Sequence, residues 1–550
     1  MIAKQYSPLD KKDKISIFSV AVLCFLFVDF VFFAKAIGLG FTLVYVLLFA
    51  FSTAYLLGKE HKSSPIGIVY GLLSVLSAVP VTLYNDSITQ YLMPFVSAFL
   101  YVLYCLSYAT DRKKFGSYKI MLSSVKALTS GTFKTVPDVV GSVKAGKSGD
   151  KKSLSALVGV LVAIPVLCAV VPLLVKSDAA FEGLVSGVFS KTLSYIGELV
   201  VALILLPYCY TYIFLMRHKS KRENKAKTNR RTLSYTACTS FMCVIGATYL
   251  LYLFSQLAYF FSAFSYILPE GYHNTASEFA RRGFYEMCVV CAINLTLVGI
   301  ISAFVKNKNG KLLKALCVFV SVFSALLVVV AMQKMVMNIG VYGLSKNRIS
   351  VFAFMLMMLV TTVMLVVHIF APKVPYMQTI IVFCSALLIA ISYSNVDARI
   401  ADYNIKAYNN HTIENLDVNS IANLSDSAVP YLISLAENGN SEASDVLYNI
   451  VGNNYHDELV LTLKTMEIKS SGDIRRFNYS HTLAANAVYD YYLSLDESDA
   501  RIFANRSAIA DYDKYYYVDE EDTYYEMTEN SDNEKAYKLN KSTHLYEVSK

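Results

Sequence analysis

Leu387-Leu388-Ile389-Ala390-Ile391-Ser392-Tyr393-Ser394-Asn395-Val396-Asp397-Ala398-Arg399-Ile400-Ala401-Asp402 marks the point at which the chain stops being apolar. Before Asn395 lie eleven apolar stretches, most close to the ~20 residues that a helix needs to cross a ~30 Å hydrocarbon core. After it come about 155 polar, acidic residues with no further stretch of that kind. The break predicts an all-α fold: a polytopic transmembrane helical bundle of about 11 spans over residues 1–394, then a C-terminal extracytoplasmic α-helical domain over 395–510. An acidic, Tyr-rich tail fills 511–550.

Charge divides at the same place. Residues 1–394 hold 37 Lys+Arg against 15 Asp+Glu, whereas residues 395–550 hold 13 against 27. The basic residues sit in loops between apolar stretches, so their natural partners are anionic lipid headgroups, and nothing indicates nucleic acid. With 55% hydrophobic residues and a mean hydropathy of +0.43, a purely soluble chain is excluded. All ten cysteines lie in or beside apolar stretches, so the polar part folds without a disulfide framework.

The expected spans are 15–33, 37–57, 65–83, 88–109, 154–175, 194–215, 236–262, 283–304, 315–337, 349–370 and 379–394. With the N-terminus inside, the inner segments carry 29 Lys+Arg and the outer ones 8. The excess predicts a cytoplasmic N-terminus and, with an odd number of spans, an extracytoplasmic C-terminus. Lys11, Lys12 and Lys14 ahead of an apolar run ending near Ala34-Lys35-Ala36 resemble a signal peptide, but the run of ~19 residues is longer than the usual 7–15. It is read as a retained helix.

Past Asn395 the pattern is helical with short turns. Asp417 is placed to cap one short helix, and Ser425-Asp426 another that runs through Val429, Leu432 and Leu435 to Gly439. Ser441 opens a third, through Ala443, Leu447 and Ile450, and further helices are expected near 456–468 and 474–494. The run 511–534, with Tyr515-Tyr516-Tyr517 and Asp519-Glu520-Glu521-Asp522, lacks the spacing of a calcium loop and is expected to be a solvated surface or a mobile tail.

Gly141-Ser142-Val143-Lys144-Ala145-Gly146-Lys147-Ser148 spells a phosphate loop, but a 43-residue segment between two spans leaves no room for the sheet that such a loop needs. Cys288-x-x-Cys291 has neither further metal ligands nor a thioredoxin-like frame and reads as buried packing. No His-Glu-x-x-His pair or Gly-x-Ser-x-Gly elbow occurs. No catalytic, cofactor-binding or metal-binding residues are assigned, no cofactor is expected, and an enzyme is disfavoured.

Ionisable residues in or beside spans are the more informative set, because a charge at a span centre costs at least ~2.5 kcal/mol. Asp29, Glu198, Glu286 and Lys334 fall in the outer half of their spans, and Arg281, Arg282 and Arg348 lie just beyond. Asn294 and Gln256 add polar groups. One by one they read as residues that snorkel to the headgroups; together they suggest an outward-facing polar cavity. A structural reading stands beside that one, in which Asp397, Arg399, Asp402 and Asn404 dock the polar domain against Arg281, Arg282 and Arg348.

Three ordered blocks carry a resemblance. They are Ala280-Arg281-Arg282-Gly283-Phe284-Tyr285-Glu286 with Ala292-Ile293-Asn294-Leu295, Tyr342-Gly343-Leu344-Ser345-Lys346-Asn347-Arg348 before Phe354-Met355, and Asn395 to Asn404 with Ser425-Asp426-Ser427-Ala428-Val429-Pro430. Arg475-Arg476-Phe477-Asn478-Tyr479-Ser480 is a fourth. Together they resemble the bacterial polytopic membrane proteins of domain of unknown function 4173, with the related 4153 group as second choice. The resemblance implies a bacterial cell membrane and about a dozen helices, but no activity. Two functions fit: a non-enzymatic sensing, scaffolding or signalling component of the envelope with a membrane or envelope protein partner, and a secondary transporter with an outward-facing cavity.

Overall fold

A computed structural model describes residues 9–33, 37–57, 64–109, 119–145, 179–218, 233–265, 284–305, 310–450, 474–495, 515–518, 523–527, 535–540 and 545–548. Nine helices among them are long and apolar enough to cross a membrane, and a tenth apolar helix, Glu286–Ser302, is shorter. The protein is therefore a polytopic α-helical membrane protein. The span expected at 154–175 lies outside the described residues. So do the helix expected near 456–468 and residues 146–148 of the phosphate-loop look-alike, whose first five residues are helical.

The described residues fall into two compact units. The first holds Met1–Thr82, Leu92–Arg222 and the short return Asp473–Phe477. Its main helices are α1 (Lys11–Phe27), α2 (Leu39–Leu56), α3 (Pro65–Ala78), α4 (Pro80–Leu83, which ends just past the unit), α5 (Met93–Ala109), α6 (Lys119–Lys126), α7 (Thr132–Ala145) and α8 (Ala179–His218). Local sequence sets their starts: Asp10 and Asp13 form a reciprocal capping box at α1, and Ser64 caps α3 with Pro65 in its first turn. At 1.5 Å per residue the 40-residue α8 is roughly 60 Å long, about twice the hydrocarbon core.

Where α2, α3 and α5 meet, the contact is polar. Tyr45 donates to the Ser97 carbonyl at 2.7 Å and pairs with Ser74, Ser77 meets Ser97 at 2.7 Å, and Ser52 meets Tyr101 at 2.5 Å. Small hydroxyl residues let helices approach closely and supply interhelical hydrogen bonds where lipid offers none.

The second unit holds Leu83–Tyr91, Glu223–Gly472 and Asn478–Lys550. Its spanning helices are α9 (Tyr235–Ser265), α10 (Phe284–Phe304), α11 (Lys311–Tyr342), α12 (Lys346–Phe370) and α13 (Tyr376–Tyr393). They are followed by α14 (Val396–Asn409), α15 (Val418–Ala422), α16 (Val429–Glu437), α17 (Ser441–Ile450) and α18 (Tyr479–Ser494). Asp417 caps α15 by accepting from the Ser420 N–H at 2.8 Å, and Gly439 (φ +83°) follows α16. The last five helices share one apolar core around Ala401, Ile421, Leu432, Leu447 and Val488.

The tail, expected to be a solvated surface or a mobile segment of an all-α chain, instead holds strands: β1 (Tyr515–Val518), β2 (Thr523–Met527), β3 (Lys535–Asn540) and β4 (Leu545–Val548). They form an antiparallel meander in the order β1-β2-β3-β4. Tyrosine favours strands. The register also sets Glu526 opposite Lys535 and Lys538 opposite Glu547, positions at which opposite charges favour pairing.

Candidate functional site

In the second unit the chain leaves α13 through Asn395, which takes the left-handed conformation (φ 50°) open to asparagine, and starts α14 at once. The turn puts Asp397 in the first helical turn, 1% exposed. Its Oδ2 lies 3.0 Å from Lys346 Nζ and accepts the Ser425 N–H at 2.7 Å. Lys346 opens α12, where Ser345 is the N-cap, so the amine comes from a fixed helix start.

Two turns along α14, Asn404 grips the neighbouring backbone. Its Oδ1 accepts the Leu344 N–H at 2.7 Å and its Nδ2 donates to the Leu344 carbonyl at 2.9 Å. Gly343, with φ +73°, makes room: a Cβ there would clash with Asn404 Oδ1. Arg348 holds the same turn from the other side. It donates through Nε to Asn338 Oδ1 at 2.8 Å and through its guanidinium to the Gly343 carbonyl at 2.8 Å and the Tyr342 carbonyl at 3.2 Å. Those carbonyls at the end of α11 have no intrahelical donor, and a cation there is favourable. The block Tyr342 to Arg348 is thus a clamped turn.

A second set of carboxylates lies in the same unit. Asp86 is buried and accepts the Ile88 N–H at 2.9 Å and the Thr89 N–H at 3.1 Å. Burial pushes its carboxyl above the ordinary range; the Thr89 hydrogen bonds oppose that, and the Asp397 charge adds to it. Asp426 takes a hydrogen bond from the Asn85 amide and lies 2.6 Å from His481 Nδ1. Ser480 donates to Asn478 Oδ1 at 2.8 Å and to Asn85 Oδ1 at 3.3 Å.

The first unit has two further clusters. Asp29 lies in a π-helical turn, Val28–Phe32, that continues α1, and it pairs with Arg475. The Leu39 N–H donates to the Phe477 carbonyl at 2.9 Å, and a Cβ on Gly38 would meet that oxygen at 2.5 Å, so the return segment lies directly on the backbone that opens α2. At the opposite end of α1, Asp13 is 2% exposed. It accepts from the Tyr55 hydroxyl at 2.7 Å and lies 3.1 Å from His218 Nε2 and 3.6 Å from Arg217 Nε. Arg217 also donates to the Tyr55 carbonyl at 2.5 Å and lies over the Tyr55 ring.

The residues marked from sequence are therefore dispersed. Glu198 is buried in α8, Glu286 is exposed at the start of α10, and Lys334 is half-buried in α11. Asn294 is buried, accepts from Tyr249 at 2.6 Å and donates to Ser324 at 2.9 Å, joining α9, α10 and α11. Arg399 is exposed and donates to the Ser394 carbonyl at 2.6 Å, and Asp402 pairs with Lys406 at 2.8 Å. Arg281 and Arg282 lie outside the described residues. Asp397 has Lys346 as its ion-pair partner, where docking against Arg281, Arg282 and Arg348 was expected. Sequence reading assigned no site role to Asp13, Asn85, His218, Lys346 and His481, whose partners lie far away in the chain, or to Asp86, whose hydrogen-bond partners Ile88 and Thr89 are local. Among the described residues no three His, Cys, Asp or Glu are placed to hold a metal ion.

These features define a polytopic helical membrane protein with a polar joint after its last span. The chain belongs to the family described as Domain of unknown function (DUF4153), whose family model matches residues 67–435. This is the second of the two groups named from the sequence blocks; the first is not shown. No curated protein and no solved structure matches the chain.

Proposed function

We propose that this protein is a non-enzymatic sensing or scaffolding component of a bacterial cell membrane. In this reading the N-terminus is cytoplasmic and residues 395–510 form an extracytoplasmic helical domain that meets a membrane or envelope protein partner. The observation that carries the proposal is the joint in the second unit. α14 follows α13 after only Ser394 and the left-handed Asn395, and is held to the α11–α12 turn by Asp397–Lys346 and by the two Asn404–Leu344 hydrogen bonds. A stiff joint transmits displacement of the polar helices to the spans, whereas a tethered module would need only a flexible linker.

Transport is the second reading, favoured by the buried hydroxyls of α2, α3 and α5. Against it, those hydroxyls pair with one another or with backbone carbonyls, as they do in helix packing.

The test is a photoreactive residue at exposed Tyr403, Tyr408 or Glu437 in intact cells, combined with an alkaline phosphatase fusion at Lys550. The proposal expects phosphatase activity and one discrete cross-linked species whose yield falls in Asn404→Ala. Saturable solute uptake by reconstituted vesicles without any cross-linked species would overturn it in favour of transport. An inactive phosphatase fusion, with an active β-galactosidase fusion at the same residue, would overturn the orientation.

A further inference from the structure

At the other ends of the spans of the second unit lies a cavity of about 260 Å³ between the end of α10, the start of α11 and the end of α12. Val298, Ile301 and Leu313 form part of its apolar wall, and Lys314 and His368 also line it. Span geometry sets its depth. Lys314 is in the first turn of α11 and His368 in the last turn of α12, so both stand at the same ends of their spanning helices, where headgroups are met. Val298 is six residues before the end of α10, roughly 9 Å deeper.

We propose that this cavity is a binding slot for one anionic phospholipid, with an acyl chain against Val298 and Ile301 and the phosphate at Lys314. Polarity argues for an amphiphile: the floor is apolar and the cation stands at the mouth, which matches a lipid's tail and head in position as well as in kind. Charge argues for an anionic head. The sequence Val305-Lys306-Asn307-Lys308-Asn309-Gly310-Lys311-Leu312-Leu313-Lys314 carries four lysines and no acid, and basic pockets between spanning helices recruit anionic headgroups. Shape argues against a peptide helix, whose ~10 Å diameter exceeds a slot of this volume. His368 packs at a tilt against Tyr376 at the start of α13, ring centroids 4.2 Å apart and planes 37° apart, so this part of the wall is held in place.

The test uses the full chain in nanodiscs of phosphatidylcholine with a minor fraction of phosphatidylglycerol, and native mass spectrometry counts the lipids that stay bound. The wild type should retain one phosphatidylglycerol in preference to phosphatidylcholine. Lys314→Gln should cut that preference about five-fold, the worth of one lysine near an anionic headgroup. Val298→Phe, which fills the floor, should abolish retention while the protein still elutes as the wild type does. Lys311→Gln, one turn away and outside the lining, should change it by less than Lys314→Gln. Equal retention of both lipids, or unchanged retention in Val298→Phe, would overturn the proposal. Displacement by millimolar inorganic phosphate would overturn it too, since the site would then bind free anions. If Val298→Phe does not fold, the lipid comparison and the two lysine variants decide.

Discussion

Asp13 in the first unit and Asp397 in the second are both almost wholly buried, at 2% and 1% exposure, yet they are neutralised in different ways. Asp397 meets one amine at a helix start and one backbone N–H. Asp13 closes its own capping box and gathers Tyr55, His218 and Arg217 from the ends of two other helices. The first arrangement fixes one turn; the second staples three helix ends. Buried carboxylates in this protein therefore bear on architecture before they bear on any ligand.

The difference predicts an order of damage. Asp13→Ala should destabilise the purified protein the most, by about 3–5 kcal/mol, because it strips a buried partner from Arg217 and Tyr55 and breaks the α1 cap. Asp397→Ala should cost about 3 kcal/mol, the low end of that range, because Lys346 is 30% exposed and regains water. Thermal unfolding in one detergent reads both, and the reverse order would break the comparison.

Gly343→Ala probes the joint without touching a charge. A Cβ at φ +73° is strained and would clash with Asn404, for a cost of about 2 kcal/mol. Removing the amide in Gly343→Ala/Asn404→Ala relieves the clash but not the strained backbone. The double variant should therefore cost less than the sum of the single ones, by at least ~0.5 kcal/mol. Strict additivity would mean that the two residues do not meet.

Asn294 gives the scale of an ordinary polar contact inside the membrane. Asn294→Ala loses its bonds to Tyr249 and Ser324 and should cost about 1 kcal/mol, since such interhelical bonds average ~0.6 and reach ~1.7 kcal/mol. A loss as large as that for Asp13→Ala would point to a role beyond helix packing.

The spans were readable because lipid allows few alternatives: apolar length and internal backbone pairing leave helices. The described C-terminal helices were readable from Asp417, Gly439 and apolar spacing, but the expected Ser425-Asp426 cap does not form: Ser425 makes no side-chain cap bond, and Asp426 turns to Asn85 and His481. The partners were not. Sequence can mark Asp397 as a costly charge, but Lys346 and Arg348 lie two residues apart, and only the fold decides which amine faces it. Asp13 was hidden among the lysines of a basic N-terminus, and its partner His218 sits at the edge of another basic loop. The tail was read by its acids, which suggest solvent, while its tyrosines, spaced between turns, set the strands.

Asp86 supplies the smallest effect and the sharpest control, because its burial works against its charge. A carboxyl raised above its ordinary value of 3.8 binds its proton more tightly in the folded chain than in the unfolded one. Stability linked to Asp86 is therefore fully present below 3.8 and is lost as pH rises from there through the raised value. Asp86→Asn keeps an acceptor for the Ile88 and Thr89 N–H groups, and Asn caps as well as Asp does. At pH 7 the variant should match the wild type or exceed it slightly. As pH falls toward 4, the wild type should gain on the variant. Unfolding midpoints at pH 7 and pH 5 measure the difference, and a variant clearly weaker at pH 7 would mean that the Asp86 charge, like those of Asp13 and Asp397, has a partner that holds it.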